Sequence, residues 1–81
     1  MNIRLYALST CPYCRMTKRY LDEHGITYDL TEIDTLEGDA KQTAVAKVKE
    51  LSGGTSFPVL VADGEVIVGF NKGKIARTLG L

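Results

Sequence analysis

Cys11 and Cys14 are the chain's only cysteines, and they stand two residues apart in Cys11-Pro12-Tyr13-Cys14. An apolar alternating stretch precedes them and a helix-like pattern follows, which puts the pair at a helix N-terminus. Unpaired backbone N–H groups and the positive end of the helix dipole stabilise negative charge there. Such a site lowers a thiol from about 8.5 into a range of roughly 3.5 to 7.5, making a thiolate available near neutral pH. Pro12 suits the first helical position, because its missing N–H would be unpaired anyway and its φ is already helical. Cys11 is then the last residue before the helix and Cys14 lies one turn inside it, so the outer sulfur attacks and the inner one resolves. A spacing of three on a helix brings the sulfurs close enough to cycle between dithiol and disulfide with little backbone movement.

Other uses of the pair fit less well. Zinc usually takes four ligands, and the chain offers two Cys and one His, His24. A disulfide closing so short a loop adds little constraint to the unfolded chain, which argues against a structural staple. The 81 residues are expected to form one domain, 1–81, with a single modest core. Ten Lys+Arg balance ten Asp+Glu, so no overall field argues for nucleic acid or an acidic membrane. Arg15, Lys18 and Arg19 cluster after the cysteines, as a solvated helix face or as cations favouring a nearby thiolate. Met1 to Leu8 lacks the apolar core of a signal peptide, and no run approaches the roughly eighteen apolar residues of a membrane span. The expected location is the cytoplasm, where a lone C-x-x-C reads as a redox couple.

The elements that must position the pair follow from periodicity. Asn2 to Leu8 sets Ile3, Leu5 and Ala7 on one face and Tyr6 and Leu8 on the other, which predicts a central strand covered on both sides. Met16, Thr17, Tyr20, Leu21 and His24 recur at helical spacing, so a helix is expected from Pro12 to His24, with Gly25 as a left-handed stop. His24 is read as a polar residue facing the negative helix terminus. Ile26 to Ile33 alternates and predicts a second strand, parallel to the first because a helical crossover joins them. Glu37 to Leu51 places Ala40, Ala44, Val45, Val48 and Leu51 on one helical face, and Ser52-Gly53-Gly54 ends that helix. Pro58 to Ala62 and Glu65 to Val68 flank Asp63-Gly64, a strong hairpin signal. Gly69 breaks the last strand, and Asn71 to Leu79 predicts a short helix with Ile75 and Leu79 facing inward. The expected order is β-α-β-α-β-β-α.

In this arrangement the chain resembles the glutaredoxins and their thioredoxin-fold relatives. The likeness rests on Cys11-Pro12-Tyr13-Cys14 after the first strand, Thr55-Ser56-Phe57-Pro58 before the third, and Val68-Gly69-Phe70 before the last helix. It implies an α/β, thioredoxin-like fold with a four-stranded mixed sheet in the order 2-1-3-4 and helices on both faces. It also implies that Cys11 and Cys14 are catalytic and that Pro58 follows a cis peptide bond. A cis bond there would leave the Phe57 backbone N–H and C=O free to pair with an extended substrate segment. The implied substrate surface takes in Pro12, Tyr13, Ser56, Phe57 and Pro58, together with Gly69, Phe70 and Asn71. Tyr13 is expected to be exposed beside the cysteines, as a substrate contact or as a plain helix-surface aromatic.

Several positions depart from the family pattern. Glutathione-binding glutaredoxins usually carry a lysine three residues before the first cysteine, a basic residue shortly before the cis-proline loop and an aspartate pair opening the last helix. Leu8, Gly54 and Asn71-Lys72 stand there instead. Each lost charge-assisted contact is typically worth about 1.5 to 3 kcal/mol, so glutathione binding is expected to be weakened. Gly69-Phe70 is similar to the redoxins that thioredoxin reductase reduces and that pass electrons to ribonucleotide reductase. That subgroup commonly has a tryptophan and a small polar residue where Ile67 and Val68 stand, and a different cysteine motif. The resemblance thus implies a dithiol–disulfide oxidoreductase that reduces protein disulfides, ribonucleotide reductase among the candidates. Its electrons would come from thioredoxin reductase or glutathione, with no bound cofactor and a monomeric state expected. The alternatives are a glutathione-dependent deglutathionylase and a dimeric [2Fe–2S] carrier, the latter disfavoured by Pro12 and by the missing glutathione contacts.

Overall fold

A computed structural model describes residues 2–54 and 56–81 of the chain. Thr55, the first residue of the motif before the third strand, lies outside the described residues. The elements run β1 (Ile3–Ala7), α1 (Pro12–Glu23), β2 (Asp29–Glu32), a 3₁₀ turn (Ile33–Thr35), α2 (Gly38–Ser52), β3 (Val59–Ala62), β4 (Glu65–Val68) and α3 (Lys72–Leu79). The sheet order is β2-β1-β3-β4, with β1 parallel to β2 and antiparallel to β3, and β3 antiparallel to β4.

The two apolar faces of β1 divide the core as expected of a covered central strand. On one side Ile3, Leu5 and Ala7 pack with Cys14 and Leu21 of α1, Leu60, Ala62, Ile67 and Ile75 of α3. On the other, Tyr6 packs with Ile33, Val48 of α2 and Val59. Leu5, Leu21, Val48 and Ile75 are wholly buried, each contributing about 1.5 to 3 kcal/mol of transfer free energy. Helices therefore cover both faces of the sheet, and β1 carries the cysteine loop out of its most buried position.

The local signals act where their chemistry requires. Asp63 and Gly64 both hold positive φ, 47° and 87°, as a two-residue turn of type I′ demands, and they pair β3 with β4. Gly53, at φ 75°, closes α2, its N–H donating to the Lys49 carbonyl at 2.9 Å. Three expectations shift. The strand predicted over Ile26 to Ile33 forms only from Asp29 to Glu32, because its one neighbour, β1, offers partners only from Arg4 to Ala7. Ile26 and Tyr28 instead pack beneath α1, and Ile33 enters the 3₁₀ turn. Met16 and Ala40, expected on inward faces, are exposed, and His24 caps α1 at the surface instead of continuing it.

Candidate functional site

The site begins where β1 stops. The Cys11 N–H donates to the Leu8 carbonyl at 3.2 Å, which folds Leu8 to Cys11 into a tight turn above the sheet. Cys11 has extended backbone angles, φ −83° and ψ 120°, and serves as the N-cap of α1, with Pro12 in the first turn. A serine or aspartate oxygen usually fills that role by accepting an N–H two or three residues on. Here the Cys11 Sγ does so, accepting the Cys14 N–H at 3.4 Å. The helix terminus thus directs a donor at the sulfur and favours its anionic form. Cys14, one turn in, is wholly buried in the α1 side of the core. Its Sγ accepts the Leu8 N–H at 3.5 Å.

These surroundings move the two thiols in opposite directions. Partial burial pushes the Cys11 thiol up. Hydrogen bonds from the Cys14 side chain, the Cys14 N–H and the Tyr13 N–H, with the Arg15 charge, outweigh it and leave Cys11 below the ordinary thiol value. For Cys14, burial dominates, and the bond it gives to Cys11 and the Cys11 charge add to it. Against the opposing Leu8 N–H and Lys18, the thiol is pushed up to about 11. Near neutral pH the outer sulfur is the nucleophile and the inner one a thiol that can donate to it. Divergent titration of neighbouring groups is a mark of a functional site.

The remaining residues singled out in the sequence gather at the same end of the sheet to different degrees. Pro12 is exposed, and Tyr13 is 61% exposed on the outer side of α1. The Phe57–Pro58 peptide bond is cis, Pro58 is buried, and Phe57 packs between the two core clusters. Among the described residues, none bonds the Phe57 backbone N–H or C=O. The Gly69 N–H donates to the Pro58 carbonyl at 2.8 Å, tying the two loops together. Gly69 holds φ 83°, a conformation that a side chain would strain. Phe70 and Cys11 pack against the same cluster. Asn71 caps α3, its Oδ1 accepting the Lys74 N–H at 3.1 Å. Ser56 is exposed. The cations after Cys14 divide. Lys18 pairs with Glu32 at 3.7 Å, Arg19 pairs with Glu23 at 3.3 Å, and only Arg15 acts on Cys11.

One positioning contact has no sequence signal. Asp34, in the 3₁₀ turn after β2, accepts the Ser9 N–H at 2.9 Å through Oδ1 and the Ser9 hydroxyl through Oδ2. The Ser9 hydroxyl and N–H hold the Asp34 carboxyl below the usual carboxylate range. Their separation of 25 positions in the chain hides the pairing from any local pattern, yet it anchors the loop that presents Cys11. No group of three or more metal-ligating side chains occurs among the described residues. Nor is any helix among them long and apolar enough to cross a membrane.

Comparison with known proteins places this geometry in a family. The family model described as Glutaredoxin matches residues 3–67. A glutaredoxin-like 8.6 kDa protein from the rubredoxin operon of Clostridium pasteurianum is 35% identical, covering 95% of this chain and 96% of its own. The glutaredoxin-like protein NrdH of Lactococcus lactis is 31% identical over 93% of this chain and 96% of its own. Among solved structures, methanoredoxin of Methanosarcina acetivorans superposes with a TM-score of 0.93 at 34% identity, covering 99% of this chain and 85% of that one. The chain belongs to the glutaredoxin family. It is a glutaredoxin- and NrdH-like thiol–disulfide oxidoreductase of thioredoxin fold.

Proposed function

We propose that the protein reduces disulfides in other proteins through a two-cysteine cycle and takes its electrons from thioredoxin reductase in preference to glutathione. The observation that carries the cycle is the Cys11 Sγ at the head of α1, accepting the Cys14 N–H above a buried Cys14. The Cys11 thiolate attacks one sulfur of a substrate disulfide. The substrate S–S bond breaks, a Cys11–substrate disulfide forms, and the other substrate sulfur leaves as a thiolate that takes a proton. Cys14 then gives up its proton and attacks Cys11 Sγ, releasing the second substrate thiol and closing the Cys11–Cys14 disulfide. Two electrons have passed to the substrate, and a reductant restores the dithiol. Phe57 and Pro58 supply the backbone edge along which an extended segment would lie, and Tyr13, Gly69 and Phe70 flank it.

The choice of reductant is supported by what surrounds the pair. Leu8 packs against the α2-side core, where the resemblance expects a lysine, and Lys72 stands in place of an acid. A tripeptide with two carboxylates and one ammonium loses charged partners there. Ribonucleotide reductase is the substrate this resemblance favours. Cys14→Ser is expected to accumulate protein mixed disulfides on Cys11, and Cys11→Ser to abolish reduction. The deciding assay compares NADPH oxidation with thioredoxin reductase against glutathione plus glutathione reductase. Faster turnover with thioredoxin reductase is expected, whereas strong turnover with glutathione alone would overturn this choice of reductant.

A further inference from the structure

Beside the cysteines α1 exposes two large side chains that the core does not explain, Tyr13 and Met16, 61% and 46% exposed. Tyr20, next at helical spacing, is half-buried and packs against the core. This face of α1 ends in a cleft of about 300 Å³ lined by Met16, Arg19, Tyr20, Glu23, Phe70 and Lys72. Tyr20 and Phe70 meet edge to face at 6.2 Å between centroids. The Lys72 ammonium lies 5.9 Å from the Tyr20 ring centre and 6.0 Å from that of Phe70. Two aromatic faces thus hold one cation over an apolar floor. The only acid lining the cleft, Glu23, is engaged by Arg19 at 3.3 Å. Among the described residues, no carboxylate lies within ion-pair distance of Lys72, Lys74 or Arg15.

From this we infer that the cleft between α1 and the start of α3 is a specificity site for the polypeptide flanking a substrate disulfide, taking an apolar side chain against Met16 and Phe70 and a carboxylate at Lys72. This rests on the reading of Cys11 as the nucleophile toward protein disulfides. The charge balance selects the occupant, because the surface offers unpaired cations and no unpaired acid within the cleft. Spacing selects the register. The nine residues from Cys11 to Tyr20 rise about 13 Å along α1, a distance that about four residues of extended chain would span. The preferred substrate therefore carries its acidic residue about four positions from the reacting cysteine, with an apolar residue between them.

The test uses peptides with one cysteine held as a 2-thiopyridyl mixed disulfide. Attack by Cys11 on the peptide sulfur forms the Cys11–peptide bond and releases pyridine-2-thione, whose absorbance gives the rate. One peptide has leucine at the second and glutamate at the fourth position from the cysteine, a second has lysine for the glutamate, and a third has serine for the leucine. The glutamate peptide is expected to react about fivefold faster than the lysine peptide at low salt, the ratio shrinking as salt is raised. Lys72→Glu should invert that ratio, and a change in thiolate content cancels within it. The serine peptide is expected to be slower than its leucine counterpart. Equal rates for the two charged peptides, or a ratio that Lys72→Glu leaves unmoved, would overturn the inference. So would self-association abolished by Met16→Asp, which would put a second copy in the cleft. If no peptide reacts, or Cys11→Ser reacts as well as the natural chain, the oxidoreductase cycle fails instead.

Discussion

Alkylation of the reduced protein by iodoacetamide near pH 7 is expected to mark Cys11 and spare Cys14. With its thiol pushed up to about 11, Cys14 holds roughly one part in ten thousand as thiolate at that pH. Even if Cys11 kept an ordinary thiol value of about 8.5, about 3% of it would be thiolate, roughly 300 times more. A more basic thiolate is intrinsically more nucleophilic. With a Brønsted coefficient of about 0.45, a gap of about 2.5 in pKa returns a factor of about 13 to Cys14. The remaining preference is about twentyfold. The lowered titration of Cys11 and the complete burial of the Cys14 side chain both enlarge it. Labelling for a short time, followed by mass mapping of the peptides around position 11 and position 14, reads the ratio directly. Single variants Cys11→Ser and Cys14→Ser assign the two rates. Equal labelling, or modification of Cys14 first, would refute the division of roles between the two sulfurs.

Stability should report the same arrangement through pH. The Cys14 thiol is raised in the folded state, so its stabilising contribution is present below the ordinary thiol range and lost as pH rises toward about 11. Urea midpoints of the reduced protein near neutral pH and at about pH 10 should therefore differ more in the natural chain than in Cys14→Ala. The Asp34 carboxyl is lowered by Ser9, so its contribution is present above the ordinary carboxylate range and fades as pH falls through the depressed value. Asp34→Asn and Ser9→Ala should each slow Cys11 alkylation at matched thiolate content, with the double variant no slower than either, as expected of one shared contact. Additive slowing would show that the two residues act separately. Leu21→Ala, which empties a wholly buried position between α1 and the sheet, should cost about 2 to 5 kcal/mol. In a chain of this size that lowers the melting temperature by roughly 10 to 30 °C, and a drop of only a degree or two would contradict the packing.

Features written in nearest neighbours were legible in the sequence. Alternation in β1 anticipated a strand covered on both sides, and Asp63-Gly64 anticipated the hairpin, since positive φ at both positions needs those residue types. The N-cap role of Cys11 followed from Pro12 alone. What escaped depends on partners distant in the chain. The length of β2 is limited by the strand beside it, which alternation within Ile26 to Ile33 cannot encode. Met16 has the type and spacing of a core residue, yet it faces the cleft at Phe70 because α1 packs on the sheet through Cys14, Thr17 and Leu21. Asp34 looked like one acid among ten. Only the fold brings it to Ser9.

The division between backbone and side chain also explains why the chain can keep a glutaredoxin motif while losing its usual neighbours. The Cys11 thiolate is favoured chiefly by Cys14, the Tyr13 and Cys14 N–H groups and one adjacent cation. The Leu8 N–H reaches the Cys14 sulfur whatever side chain position 8 carries, and here that side chain is given to the α2-side core. Changes at 8, 54 and 71–72 therefore leave the source of thiolate stability in place and act on what the surface can bind. A glutaredoxin surface can then exchange one partner for another by side-chain substitution alone. In this chain Lys72, held over Tyr20 and Phe70, is the substitution that turns the entrance of α3 toward an acidic partner segment.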